Sequence, residues 1–196
     1  MSFHSKMFTI LAIVVVTLGY GLYERNKYTH LQTARDLILQ TLPQFTARAL
    51  ETNELITDNT LIQQGDRAAM VHLWGTWCGV CMDGLPKLIE FANRMEPLGV
   101  RFLLLAVNDE ERELMRAMQR YDLPENVTVA MEESENVLDR FGSVRVPETY
   151  LFAANRDHLN KFIGPQEWTR PTYFDRVNRL IENSIRGRGE EVEAHQ

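Results

Sequence analysis

The sequence predicts an α/β domain, built on a central mixed β-sheet flanked by helices, behind an N-terminal transmembrane helix. Between residues 68 and 131, short apolar runs typical of buried strands alternate with helical patterns, and such alternation implies parallel strands. Met7–Tyr23 contains no charged residue and, at ~1.5 Å per residue, is about 25 Å long, just enough to cross a bilayer core. The chain of 196 residues is 44% hydrophobic, which is sufficient for one folded domain with extensions.

The N-terminal run has two interpretations. A cleaved signal peptide needs a short apolar region and a small-residue cleavage site, which Gly19-Tyr20-Gly21 matches loosely. Because Met7–Tyr23 is longer than most signal-peptide cores, we favour an uncleaved anchor within residues 1–24. The charges on its two sides are too balanced to orient it.

The elements that follow are justified by periodicity. Residues 25–41 form a helical linker, because Leu31, Ala34, Leu37 and Ile38 recur at helical spacing. The predicted domain spans 42–185, and the predicted disordered tail, 186–196, has no apolar pattern. The predicted elements of the domain are, in order, a strand from Pro43 to Leu50, a central strand from Ala68 to Trp74, a helix from the cysteine motif to Met95, a strand from Arg101 to Val107, a helix from Asp109 to Arg120, a strand from Val127 to Met131, a helical turn from Asn136 to Phe141, a hairpin of Thr149–Ala153 with Leu159–Ile163, and a helix from Pro171 to Ile185.

The charge of the chain excludes one class of partner. The net charge of −6 and the pI of 5.4 are unsuited to a nucleic-acid surface, which needs clustered lysine and arginine. We therefore expect protein or peptide partners.

The only two cysteines, Cys78 and Cys81, form a C-x-x-C motif between the central strand and the following helix. A helix N-terminus lowers the pKa of the first thiol, so Cys78 is the candidate nucleophile and Cys81 the resolving thiol. A zinc site would need a second ligand pair, and a disulfide closing so short a loop would restrict the unfolded chain little. These arguments favour redox catalysis by the dithiol itself, with no metal and no separate cofactor.

Two motifs together resemble those of the membrane-anchored TlpA/ResA/DsbE (CcmG) thioredoxins. They are Trp74-Gly75-Thr76-Trp77-Cys78-Gly79-Val80-Cys81, with Pro86 after it, and Val146-Pro147-Glu148-Thr149-Tyr150-Leu151. The resemblance covers residues 42–185 and implies the thioredoxin fold, with Pro147 as a cis-proline beside the dithiol. It also implies a periplasmic domain on the bacterial inner membrane that exchanges electrons with a membrane thiol-disulfide carrier and with exported protein clients, apocytochrome c among them.

Three positions depart from the family pattern. Val80 replaces a proline within the dithiol, Gly84 replaces a glutamate, and His72 replaces the buried aspartate of ordinary thioredoxins. The valine alters the redox poise of the dithiol. His72 is either a satisfied core histidine or the acceptor of the Cys81 proton.

The remaining candidate residues also have two interpretations. Trp77 either contacts clients or packs, and packing is favoured for Trp74. Glu148 is either an exposed loop acid or a client contact, and the backbone of Val146 is expected to pair with a client strand.

The function predicted from these residues is thiol-disulfide exchange, in the direction of reduction. The first alternative is a general disulfide oxidase or isomerase. The second is a thioredoxin-like binding module in which the dithiol is vestigial.

Overall fold

The computed structural model describes residues 16–20, 39–134 and 136–194, with the backbone alone over 188–194. The chain divides into two compact units, residues 1–38 and 39–196. Within the first unit, residues 16–20 are helical and exposed. The predicted anchor and linker otherwise lie outside the described residues, apart from residues 39–41. No helix in the described ranges combines the length and the apolar character that a membrane crossing requires.

The second unit contains a seven-stranded mixed sheet with the order β2-β1-β5-β4-β3-β6-β7. The parallel strands β3, β4 and β5 lie at its centre, and the outer pairs are antiparallel. The bounds of the strands are β1 Thr46–Ala49, β2 Leu55–Thr57, β3 Ala68–Trp74, β4 Val100–Ala106, β5 Val127–Glu132, β6 Glu148–Ala153 and β7 His158–Ile163. The predicted parallel centre and the predicted hairpin, β6–β7, are thus confirmed.

Four helices accompany the sheet in the described part of this unit: α1 Gly79–Met95, α2 Glu111–Met118, α3 Val137–Arg140 and α4 Pro171–Ala194. Helix α1 continues through Pro86 into a short 3₁₀ segment, Glu96–Leu98. That segment ends at Gly99, whose φ of 67° is a left-handed conformation that glycine adopts without a steric penalty.

Alternation along the strands divides the core between the two faces of the sheet. Helices α1, α2 and α4 pack against one face, where Trp74, Cys78 and Cys81 belong to the same buried cluster. The opposite face is covered by α3 and by the entry segment around Phe45. Every residue of β3 is buried, as a strand packed on both faces requires.

One strand was not predicted, and one prediction is wrong. Strand β2 was missed because three residues are too short to show alternation. The predicted tail at 186–196 is wrong as far as Ala194, since α4 continues past Ile185. The lack of an apolar pattern there argues against packing, but arginine, glutamate and alanine still favour a helical backbone.

Candidate active site

The dithiol lies where β3 passes through a short turn into α1. Cys78 and Cys81 form a disulfide with an S–S distance of 2.11 Å and a Cα–Cα distance of 5.2 Å. Cys78 is the N-cap residue of α1, with extended backbone angles, and the Cys81 N–H donates to Cys78 Sγ at 3.3 Å. A sulfur in this position faces the unpaired amides and the positive end of the helix dipole, which stabilise a thiolate.

The two sulfurs differ in accessibility. Cys78 is 8% exposed and Cys81 is 2% exposed. Both sulfurs are thus largely buried in the disulfide form, and Cys78 is the more accessible of the pair. A client disulfide approaching from solvent meets Cys78 first.

The turn before the dithiol is bound to the end of β4. The Cys78 N–H donates to Gly75 O at 3.1 Å, which closes a turn with Thr76 and Trp77 at its centre. The Trp77 indole N–H donates to Val107 O at 3.1 Å. The indole folds over Gly75, where an added Cβ would lie 2.4 Å from Trp77 Nε1, so a side chain at position 75 would force the indole to move.

Thr76, the other central residue of the turn, is held by Asp109. The Thr76 N–H donates to Asp109 Oδ2 and the Thr76 hydroxyl donates to Asp109 Oδ1, each at 2.6 Å. Sequence reasoning missed Asp109. It follows a buried parallel strand next to β3, and since the carboxyl ends of parallel strands meet at one sheet edge, that placement could have revealed it.

Pro147 lies beside the dithiol, as the family resemblance implies. The Val146–Pro147 peptide bond is cis, and Pro147 lines a small cleft together with Cys81 and His72. Pro147 O accepts the Gly164 N–H at 2.9 Å, which binds this loop to the end of β7. Within the described ranges, no backbone group hydrogen-bonds to the Val146 backbone.

His72 lies in β3 beneath the dithiol and is 6% exposed. His72 Nδ1 and Thr149 Oγ1 form a hydrogen bond of 2.8 Å. Burial lowers the pKa of His72 from 6.5 to about 3, so the imidazole is neutral at the pH values where thiols react. The cleft that it shares with Cys81 has a volume of about 10 Å³, which is room for about one water.

Glu148 is neither an exposed loop acid nor a side chain on the dithiol face. It is 1% exposed and pairs in register with Leu73, which packs on the opposite face of the sheet. Its Oε2 accepts from Lys161 Nζ and from the Tyr150 hydroxyl, each at 2.8 Å. Burial and the neighbouring Glu148 raise the pKa of Tyr150. Any client contact at position 148 therefore falls to the backbone.

The two tryptophans near the dithiol differ in exposure. Trp74 is fully buried, in agreement with a packing role, whereas Trp77 is 58% exposed. Val80, in the place of the family's proline, is 52% exposed. Trp77 and Val80 thus present an apolar surface on either side of Cys78. Among the described residues, no cluster of His, Cys, Asp or Glu side chains has the arrangement to hold a metal ion.

Comparisons with known proteins agree with this geometry. A thiol-disulfide oxidoreductase ResA from Geobacillus thermodenitrificans is 25% identical over 146 residues, covering 74% of this chain and 79% of the relative. A thioredoxin-family thiol:disulfide interchange protein from Chlorobium tepidum superposes with a TM-score of 0.58 at 19% identity, covering 73% of this chain and 97% of that structure.

A secreted Mycobacterium tuberculosis disulfide oxidoreductase homologous to E. coli DsbE superposes with a TM-score of 0.53 at 21% identity, over 70% of this chain and 94% of that structure. These two superpositions establish the thioredoxin-like fold. The family model for AhpC/TSA proteins matches residues 38–158, more than half of the chain. The chain therefore belongs to the AhpC/TSA family, and it is a thiol-disulfide oxidoreductase similar to the ResA proteins.

Proposed function

We propose that this oxidoreductase is anchored in the bacterial inner membrane by Met7–Tyr23 and reduces disulfides of exported proteins in the periplasm. Apocytochrome c, with its paired haem-binding cysteines, is the proposed client class, on the strength of the family resemblance. The redox group is the Cys78–Cys81 pair itself, with no separate cofactor, and a membrane thiol-disulfide carrier supplies the electrons.

The observation that carries this proposal is the juxtaposition of the dithiol with the backbone of Val146. The N-cap sulfur of α1 is the more accessible thiol, and cis-Pro147 lines the same cleft as Cys81. The Val146 backbone has no partner among the described residues, so an extended client can add to it as a short strand. The exposed faces of Trp77 and Val80 supply apolar contact for that client.

The reaction proceeds through two exchanges. The Cys78 thiolate attacks one sulfur of the client disulfide, so a mixed disulfide forms while the client's other sulfur leaves as a thiolate and takes up a proton. The Cys81 thiol then loses its proton and attacks Cys78 Sγ, which closes the intramolecular disulfide and releases the second client thiol. The membrane carrier returns two electrons, and two protons from solvent complete the regeneration of both thiols.

His72 fits the role of a proton acceptor for Cys81 better than that of a charged group that stabilises the thiolate. A charged imidazole, which would favour the thiolate and a more oxidising dithiol, conflicts with a pKa of about 3. A neutral imidazole with that pKa is a weak base, so His72 accepts the Cys81 proton only in concert with the sulfur attack. The cleft shared by His72 and Cys81 has room for about one water to connect them.

A client assay tests the direction of electron flow. The reduced full-length protein in detergent is mixed with an oxidised Cys-x-x-Cys-His peptide and, separately, with insulin. We expect reduction of the peptide at a rate that Cys78→Ser abolishes, while Asp175→Asn, far along the chain in α4, leaves the rate unchanged. Oxidation of the reduced peptide by the disulfide form, without reduction of the oxidised peptide, would instead establish the oxidase or isomerase alternative.

Fractionation tests the anchor. We expect the full-length protein in the membrane fraction after carbonate extraction, and its native N-terminus to precede Met7. An N-terminus near residue 20 or 22, with the protein in the soluble periplasmic fraction, would show that the apolar run is a cleaved signal peptide.

A further inference from the structure

The turn that presents Cys78 is bound on one side by a short segment that follows β4. Its central residues, Thr76 and Trp77, direct three donors at this segment: the Thr76 N–H and hydroxyl to Asp109, and the Trp77 indole N–H to Val107 O. The Val107 N–H in turn donates to Trp74 O at 2.9 Å. The position of the nucleophile therefore depends on residues that lie outside both active-site motifs.

This segment is itself held in place. Asn108 has a φ of 49°, and its N–H donates to Glu132 Oε1, at the end of β5, at 2.6 Å. Asp109 Oδ1 also accepts the Glu110 N–H at 2.9 Å, so the carboxylate has a defined orientation. A carboxylate with three bonds of this kind is a rigid negative charge beside the dithiol turn.

We propose that Asp109 is a positioning residue that holds the dithiol turn through Thr76. Its fixed negative charge also makes the Cys78 thiol a weaker acid than it would be at the helix N-terminus alone. A nearby negative charge disfavours the thiolate. A stabilised reduced form makes a dithiol more oxidising. Because the charge of Asp109 instead destabilises the thiolate of the reduced form, it keeps this dithiol reducing, a consequence that rests on the proposed reductase function.

Other ionisable groups around the turn do not replace this effect. His72, below the turn on β3, is neutral because burial lowers its pKa to about 3. Burial also raises the pKa of Glu132, which reaches the turn only through the Asn108 amide. Among the charged side chains of the adjoining helices, Asp83, on α1, is nearest in sequence to the dithiol, and Glu110, which makes no capping bond at the start of α2, is next to Asp109; the others lie further along α1 (Lys87, Glu90 and Arg94) and within α2 (Glu111, Arg112, Glu113 and Arg116).

Asp109→Asn removes the charge but keeps both hydrogen bonds to Thr76, while the Glu110 N–H loses its bond to Oδ1. The amide oxygen accepts the Thr76 N–H, and the amide nitrogen donates to the Thr76 hydroxyl, which rotates to accept. Removing a nearby negative charge stabilises the thiolate relative to the thiol. Asp109→Asn should therefore lower the pKa of the Cys78 thiol by up to about one unit. The rate of alkylation of the reduced full-length protein, measured against pH, reports this pKa.

Asp109→Ala removes the bonds as well as the charge. In that variant the Thr76 and Cys78 amides should exchange hydrogen with solvent at least tenfold faster than in the wild type, whereas Asp109→Asn should preserve their protection. Glu110→Gln is the matched control, because it removes the adjacent charge but no bond to the turn, and it should shift the Cys78 pKa by less than half as much as Asp109→Asn.

Outcomes of two kinds would contradict the proposal. An unchanged or raised Cys78 pKa in Asp109→Asn, or an equal fall in Glu110→Gln, would overturn the role of the fixed charge. Unchanged Thr76 protection in Asp109→Ala would overturn the positioning role. Both measurements are made without a client, so they remain informative whichever way the client assay for the proposed function turns out.

Discussion

Replacing His72 with asparagine should make the stability of the protein less sensitive to acid. The folded-state pKa of about 3 lies below the unfolded value of 6.5, so the unfolded chain binds the additional proton first as the pH falls. The resulting loss of stability begins near pH 6.5, reaches about 2 kcal/mol at pH 5 and levels off at ~5 kcal/mol near pH 3. His72→Asn keeps a hydrogen-bonding group for Thr149 but cannot titrate.

The assay is urea unfolding of the full-length protein in detergent, followed by tryptophan fluorescence at pH 7.5 and at pH 5. Between the two pH values, the wild type should lose about 2 kcal/mol more of its unfolding free energy than His72→Asn does. Burial also lowers the pKa of His158, but that residue is common to both proteins and cancels in the comparison. Equal losses in the two proteins would refute the reasoning that His72 is buried in its neutral form.

Three further predictions concern the dithiol, the cis-proline and the buried ion pair. Cys81→Ser should accumulate mixed disulfides with clients, and Cys78→Ser should form none. In the reduced wild type, Cys78 should be alkylated faster than Cys81 near neutral pH, and the reverse order would reassign the nucleophile. Pro147→Ala should weaken client turnover and slow client release in stopped-flow assays, and unchanged kinetics would remove the proposed pairing with Val146. Lys161→Met should lower the free energy of unfolding by about 3 kcal/mol, because it leaves the buried carboxylate of Glu148 unpaired. Adding Glu148→Gln should restore most of that loss. If it restores none, the loss comes from the packing of the Lys161 side chain and not from the unpaired charge.

The sequence was most informative where the pattern is local. Strand β3, helix α1 and the antiparallel hairpin follow from periodicity and from turn residues, and these elements already place the two cysteines at a helix N-terminus. The boundaries were less secure where the sequence has no apolar periodicity, as at β2 and at the end of α4. Apolar periodicity reports packing against a core, and it contains little information about a short edge strand or about a helical backbone without an apolar face.

By itself, the sequence determined the α/β class, the dithiol chemistry and the identity of the nucleophile candidate, because these depend on residue type and on spacing within a few positions. Only the tertiary structure showed that Glu148 is turned away from the dithiol and paired with Lys161, and that Asp109 binds the turn before Cys78. These contacts join residues far apart in the sequence, and which face of a strand a side chain occupies depends on register. The neutral state of His72 was likewise decided by the tertiary structure, since the shift of its pKa comes from burial under the packed sheet and helices, which no local pattern specifies.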